Sequence, residues 1–231
     1  MYQGIYIKRT KIGSEVHLWD DQAGYHKFSY KSYAYQKSQT GTYRSIYGDK
    51  LKKVYFWTGE DLQKGKVFES DIPIETRVLV DKYGDSDEVS KGHKVMIFDI
   101  EVEVIGGFPD PREARNKITS IAFYDKTADC YMVCVVSDKI QNYTYDNITV
   151  ESFDTEEELI QRFYQLYLEI QPTILTGWNI DGFDIPYLYN RTRRIMGDNV
   201  ANALSPIGIV EYSEYKNRYK IAGVSSLDYL S

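Results

Sequence analysis

Asp99 and Glu101 lie two residues apart in the stretch Phe98-Asp99-Ile100-Glu101-Val102. On a β-strand this spacing sends both carboxylates out of one face. A hard divalent cation suits such a pair, because Mg²⁺ is commonly held by one or two carboxylates together with substrate phosphates. Acid-x-acid pairs are nevertheless frequent: 34 acidic residues in 231 produce about five by chance. Asp85/Asp87, Asp154/Glu156 and Glu156/Glu158 are others, in loop or helix-start settings. Asp99/Glu101 differs in its neighbourhood, since the apolar run Val95-Met96-Ile97-Phe98 leads straight into it and unpaired carboxylates there would be costly. A charged strand end exposed to water is the plain alternative.

The second acidic element is Gly177-Trp178-Asn179-Ile180-Asp181-Gly182-Phe183-Asp184-Ile185-Pro186. It falls between a short apolar strand, Thr173–Thr176, and a helix expected over Ile185–Met196 with Pro186 in its first turn. Asp184 is expected at the N-cap, where an acid satisfies free N–H groups and the helix dipole. That role is compatible with cation binding, because open sheets place ligands where strand ends face helix starts.

The elements that must position these acids read as alternating strands and helices after residue 93. Val95–Val104 is apolar on both faces at its start, as in a central strand. Lys117–Tyr124 and Cys130–Ser137 pair across the Asp125–Asp129 turn. Thr155-Glu156-Glu157-Glu158 is a capping box, followed by an apolar stripe of Leu159, Ile160, Phe163, Leu166, Tyr167 and Ile170. Ile207–Tyr212 and Arg218–Ile221 make a late hairpin. The fold class is therefore α/β, a sheet with helices packed against it.

Residues 1–93 read as mainly β. Tyr2–Lys8, Glu15–Trp19, Tyr25–Tyr33 and Lys52–Trp57 are aromatic or β-branched, and His17 and His26 are expected to face each other across a hairpin turned at Asp20–Gly24. The polar stretch Asp81–Gly92 reads as a connector, so two domains are expected, 1–93 and 94–231. Cys130 and Cys134 sit four apart on a strand, about 13 Å, beyond the roughly 7 Å that a disulfide spans. They read as core thiols.

The formal charge of −6 argues at first against a nucleic-acid partner, but it is unevenly spread. Residues 1–66 carry 12 basic and 6 acidic side chains, whereas residues 94–231 carry 13 and 21. Tyr25, Tyr30, Tyr33, Tyr35, Tyr43, Tyr47 and Tyr55 interleave with Lys27, Lys31, Lys37 and Arg44 in the basic part. Aromatic platforms between cations hold single strands without sequence preference; half-buried strand tyrosines flanked by exposed lysines are the alternative. No run is long and apolar enough to span a membrane.

Phe98-Asp99-Ile100-Glu101-Val102, Gly107-Phe108-Pro109-Asp110-Pro111 and Asn179 to Pro186 with the following Tyr187-Leu188-Tyr189-Asn190-Arg191 resemble family B DNA polymerases of the T-even bacteriophage type. Asp99-x-Glu101 is similar to that family's first exonuclease motif and Asn179-x-x-x-Phe183-Asp184 to its second. The likeness extends through Ser45–Lys50, Leu204-Ser205-Pro206 and Ser226-Leu227-Asp228-Tyr229, and so covers most of the chain. It implies an N-terminal domain followed by a ribonuclease-H-like 3′→5′ exonuclease domain with a mixed sheet flanked by helices, the proofreading part of a DNA-replicating polymerase. It implies Asp99, Glu101 and Asp184 as catalytic ligands of two divalent metal ions, Mg²⁺ or Mn²⁺. It also implies Asn179 and Phe183 as contacts of the terminal nucleotide, with Phe183 equally suited to the core. The implied partners are single-stranded DNA or a primer 3′ end, RNA at the N-terminal domain, and a polymerase portion in the same or a separate chain. The implied setting is intracellular, in the cytoplasm of an infected bacterium if the chain is phage-derived.

Two departures matter. The family's third exonuclease motif, Y-x-x-x-D, supplies a further carboxylate; here only Tyr83 has an Asp four residues on (Asp87), upstream in the connector. The polymerase motifs are absent as well, so the sequence reads as a fragment or one part of a split polymerase, with Asp228 the only late acid available as a substitute. A non-catalytic single-strand-binding module and a stand-alone ribonuclease-H-like nuclease are the competing classes. Incubated with 3′-labelled single-stranded DNA and Mg²⁺ or Mn²⁺, the chain is expected to trim slowly. Brisk trimming abolished by Asp99→Ala would show that another carboxylate completes the set. A binding module would instead lose affinity steeply with salt and ignore Asp99→Ala.

Overall fold

Alternating side chains and short turns build the first part of the chain into strands. The computed structural model describes residues 1–11 and 13–230; the chain divides into two compact units between Ser90 and Lys91. In the first unit, β1 (Tyr2–Thr10), β2 (Gly13–Asp20) and β3 (Gly24–Tyr30) form an antiparallel meander. Val16 and Leu18 of β2 are buried with Val78, and Ile5, Ile7 and Phe28 pack around them. A second antiparallel sheet joins β4 (Ala34–Lys37), β5 (Tyr43–Arg44), β6 (Lys50–Val54) and, beyond the short helix α1 (Gly59–Gln63), β7 (Val67–Phe68).

Helix α2 (Ile74–Tyr83) occupies the start of the stretch expected as a connector. It is tied to the strands through tyrosine hydroxyls: Tyr30 and the buried Tyr33 both donate to the Asp81 carboxylate, and the Tyr83 hydroxyl donates to Asp20 at 2.7 Å. These partners are far apart in sequence, so no local pattern announces them. The β2–β3 register also differs by one from expectation. His17 pairs with Lys27 and His26 with Leu18, so the histidines do not oppose each other. His17 is buried, hydrogen-bonded to the Tyr25 hydroxyl at 2.7 Å and to Glu15 at 3.1 Å.

In the second unit the strands are β8 (Val95–Val102), β9 (Ile118–Asp125), β10 (Cys130–Val136), β11 (Tyr143–Tyr145), β12 (Ile148–Phe153), β13 (Ile174–Gly177), β14 (Val210–Ser213), β15 (Arg218–Ile221) and β16 (Ser225–Asp228). Among the described residues, seven of them form one mixed sheet in the order β11-β12-β10-β9-β8-β13-β16. β8, β9 and β10 are antiparallel neighbours, whereas β13 runs parallel to both β8 and β16. β14 and β15 pair separately as the late hairpin. Strand β8 alternates: Met96, Phe98 and Ile100 are buried on one face, while Ile97, Asp99 and Glu101 are exposed on the other. The apolar start of β8 thus marks one core-facing surface rather than two.

Helix α3 (Glu156–Ile170) begins at Thr155, whose side chain and that of Glu158 cap each other's backbone N–H groups as the capping box requires. Leu159, Ile160, Phe163 and Tyr167 of α3 are buried, with Leu166 and Ile170 partly so, in the core that holds Met96, Phe98, Ile121 and Leu175. Cys134 lies in this core; both cysteines are free thiols, and burial pushes that of Cys134 up to about 12. Helix α4 (Asp184–Met196) follows β13, with α5 (Asp198–Ala201) and a 3₁₀ turn (Asn202–Leu204) after it.

A buried ion pair joins α3 to α4. Arg191 donates to both carboxylate oxygens of Glu156, at 2.8 and 2.6 Å, and to the carbonyls of Ala114 and Arg115. Glu156 also accepts the Ile118 N–H at 2.7 Å, fixing the start of β9. Removing one partner leaves the other charged and enclosed, a cost of about 3–5 kcal/mol. Arg191→Met is therefore expected to lower the urea midpoint by that equivalent, and Glu156→Gln, which keeps its shape and part of its bonding, by less.

Candidate active site

Parallel pairing brings the ends of β13 and β16 level with each other, against the middle of β8. Thr176 of β13 is level with Ile97 of β8, and Gly177 is level with Asp228 of β16. Gly177 therefore sits beside Phe98, one residue before Asp99. Any Cβ at position 177 would stand 2.7 Å from the Phe98 carbonyl and 2.6 Å from Ile180 Cγ2, so this close approach requires glycine.

The turn from β13 into α4 then folds back over the edge. Asn179 adopts a left-handed conformation (φ +56°), and its carbonyl accepts the N–H groups of Gly182 and Phe183. Its side-chain oxygen lies where a Cβ on Gly182 would be. The helix cap falls at Phe183, so Asp184 is the first residue inside α4 rather than the N-cap. The difference matters, because an N-cap acid usually faces water whereas Asp184 is only 3% exposed.

The three acids predicted from the sequence are thus in different environments. Asp99 and Glu101 project from the open face of β8 and are exposed, and a register shift in the β8–β9 pairing falls directly after Glu101. The desolvation expected for those two falls instead on Asp184. Its Oδ1 accepts the Ile100 N–H at 3.0 Å, a direct tie to the backbone between Asp99 and Glu101. Burial first, and then the negative charges of Asp99 and Asp228, push the Asp184 carboxyl up to about 7 despite that hydrogen bond.

The chemistry of this donor set fits a hard divalent cation: a desolvated carboxylate destabilised by neighbouring anions is what a cation would relieve. Among the described residues no three or more His, Cys, Asp or Glu side chains gather as a ready-made cage. Asp184 has both Asp99 and Asp228 in electrostatic reach, a small set in keeping with the preference of Mg²⁺ for few carboxylates plus water or phosphate oxygens.

Aromatic rings border the acids. Phe183 is half-buried, with its ring centroid 5.3 Å from those of Tyr187 and Phe108. Phe108 is 84% exposed and borders a cleft of about 420 Å³ with Arg112, Gly182, Tyr212 and Tyr219. Arg112 donates to the Tyr212 hydroxyl and Asn217 Oδ1, holding the β14–β15 hairpin to the far side of this cleft.

Sequence comparison decides the family. Residues 60–231 match the family described as DNA polymerase family B, exonuclease domain. The chain belongs to DNA polymerase family B. It is 30% identical to the DNA-directed DNA polymerase of Enterobacteria phage T4 over 81% of its own length and 25% of that relative. The corresponding figures for the DNA-directed DNA polymerase of Escherichia phage RB69 are 30%, 84% and 26%. An archaeal relative, DNA polymerase 1 of Sulfurisphaera ohwakuensis, is 30% identical over 56% of the chain. The chain spans about a quarter of the length of the two phage relatives. The family B match begins in α1 and so includes the end of the first unit as well as all described residues of the second.

Two features of the site escaped the motif reading. Phe108 lay within a quoted motif, but only the fold stacks it on Phe183. Asp228 read as the only late candidate for a further carboxylate, or else as an exposed or capping acid; the register of β13 and β16 brings it to the turn.

The raised Asp184 value has a definite sign. Between about pH 4 and 7 the folded, metal-free chain retains a proton that the unfolded chain has released, so stability falls as pH rises through this window. Asp184→Asn is expected to be more stable than the parent at pH 8, on the order of 2–4 kcal/mol, with the gap closing near pH 4. Urea unfolding in EDTA across this pH range measures both.

Proposed function

We propose that this chain carries the 3′→5′ exonuclease of a family B DNA polymerase, hydrolysing the terminal phosphodiester of a single-stranded 3′ end. The observation that carries this reading is the buried Asp184, tied to the Ile100 N–H between Asp99 and Glu101 where β13 and β16 end against β8. Three antiparallel strands, β10-β9-β8, continued by the parallel β13 and β16 with helices in the connections, support a ribonuclease-H-like domain. On this reading the chain divides into an N-terminal domain, 1–93, and the exonuclease domain, 94–231.

In the proposed mechanism Asp99 and Asp184 would hold the divalent ions, Mg²⁺ or Mn²⁺, with Glu101 on the same face of β8 as Asp99. When bound, such ions activate a water and stabilise the leaving 3′ oxygen. The protein's own part is positioning. The Ile100 N–H holds Oδ1 of Asp184 and so fixes that carboxyl next to the backbone that carries Asp99. Phe183 and the exposed Phe108 offer stacking surfaces for the terminal base, and Asn179 shapes the turn beneath them. No covalent nucleophile is required.

The first unit has a face suited to a single strand of DNA or RNA. Lys31 Nζ lies 4.0 Å from the Phe56 ring centroid and 5.4 Å from that of Tyr55, while Tyr47 and Phe56 are more than four-fifths exposed. Within the complete polymerase, this unit would guide the strand and a further polymerase portion would extend it. Among the described residues no helix is long and apolar enough to cross a membrane.

The test is directional degradation. A 5′-labelled oligonucleotide with Mg²⁺ or Mn²⁺ is expected to shorten one nucleotide at a time from its 3′ end, releasing nucleoside monophosphates. EDTA should stop the reaction, and Asp184→Ala should slow it by at least about 100-fold. Internal cleavage, or shortening indifferent to Asp184, would reject the assignment.

A further inference from the structure

The turn that carries Asn179 and Phe183 into Asp184 is held by an acid from another strand. Asp228, at the end of β16, accepts the Asn179 N–H on Oδ1 and the Asp181 N–H on Oδ2, both at 2.9 Å. Its Oδ1 also accepts the Leu230 N–H at 2.8 Å. One carboxylate thus grips the turn at two points two residues apart, just where Asn179 is in a left-handed conformation. A second brace comes from β15, where Arg218 donates to the Asp181 carboxylate at 2.8 Å.

This arrangement distinguishes two roles for Asp228. As a metal ligand it would have to turn its oxygens toward Asp99 and Asp184, and three N–H groups would lose their acceptor. A carboxylate engaged by several backbone N–H groups is instead well placed to fix the geometry around other groups' ligands. The turn between its two grips and α4 is short, Gly182 and Phe183 only. The position of Asp184 therefore follows from that of Asn179 and Asp181.

We infer that Asp228 is a positioning residue for the exonuclease site: it holds the Asn179–Asp181 turn so that Asp184 meets Asp99 in a cation-binding arrangement, and it is not itself a metal ligand. The inference rests on the cation-binding reading proposed above. Asp228→Asn keeps the side chain's shape but replaces one acceptor with a donor, so one grip is lost. Asp228→Ala loses both.

The experiment uses the full chain and Mn²⁺ alone, with affinity measured by titration of the free-ion electron paramagnetic resonance signal. Unfolding in EDTA is followed in parallel. Asp228→Asn is expected to unfold cooperatively near the parental temperature yet bind Mn²⁺ about 10-fold more weakly, and Asp228→Ala more weakly still. A purely structural role predicts lowered melting temperatures with parental Mn²⁺ affinity in the folded chain, and that result overturns the inference. Amide NMR separates positioning from ligation. In the parent saturated with Mg²⁺, the Asn179 and Asp181 amide protons are expected to remain protected from exchange. Loss of their protection on adding Mg²⁺ would mean that Asp228 has turned to the ion, and would overturn the inference too. If the parent binds no Mn²⁺, the cation reading itself fails. Asp228 as a holder of the turn then stands or falls on faster exchange at those two amides in Asp228→Ala.

Discussion

A carboxylate that must be buried beside other carboxylates is the constraint around which the second unit is organised. Asp184 lies in the first turn of α4, out of water, with Asp99 and Asp228 adding repulsion. Left to itself, such a group would move outward or drag the turn with it. Several independent features prevent this. Gly177 lets β13 lie against the Phe98 carbonyl, the Ile100 N–H holds one oxygen of Asp184, and the Glu156–Arg191 pair fastens α4 to α3 and to the start of β9. Stability is given up at Asp184 and recovered in the packing around it, a common pattern where strain serves a site.

This constraint also explains the charge distribution. An acidic second part is a poor surface for a polyanion unless some of its acids face cations in use, and the acids at the strand edge are those with a physical reason to do so. The basic, tyrosine-rich first unit has the opposite balance, with the Lys31 ammonium over the exposed rings of Tyr55 and Phe56. The formal charge of −6 averages two surfaces of different character and describes neither.

Local chemistry was legible wherever neighbours along the chain decide the outcome. Thr155 and Glu158 are three residues apart, and their reciprocal cap formed as read; the stripe on α3 and Pro186 in the first turn of α4 behaved likewise. The exposure of Asp99 and Glu101 on one face of β8 follows from a period of two. Illegible were the features set by register between strands. A one-residue offset separates His17 from His26, α2 runs into a stretch that looked like linker because distant tyrosines need Asp81, and Asp184 lies one step inside the helix rather than at its cap. Asp228 is the strongest case, since β16 has only four residues and no pattern of its own.

By itself the sequence determined which side chains were available, their spacing on each element and the family to which the chain belongs, because propensity, capping and motif spacing act over a few residues. The tertiary structure alone decided which acid is desolvated, which is exposed and which holds the turn in place. Those outcomes depend on parallel strand pairing between residues about 50 to 80 apart, as with Gly177 beside Asp228 and Ile97 beside Thr176. Burial and Coulomb repulsion depend on distance in space, and that distance exists only once the strands have paired.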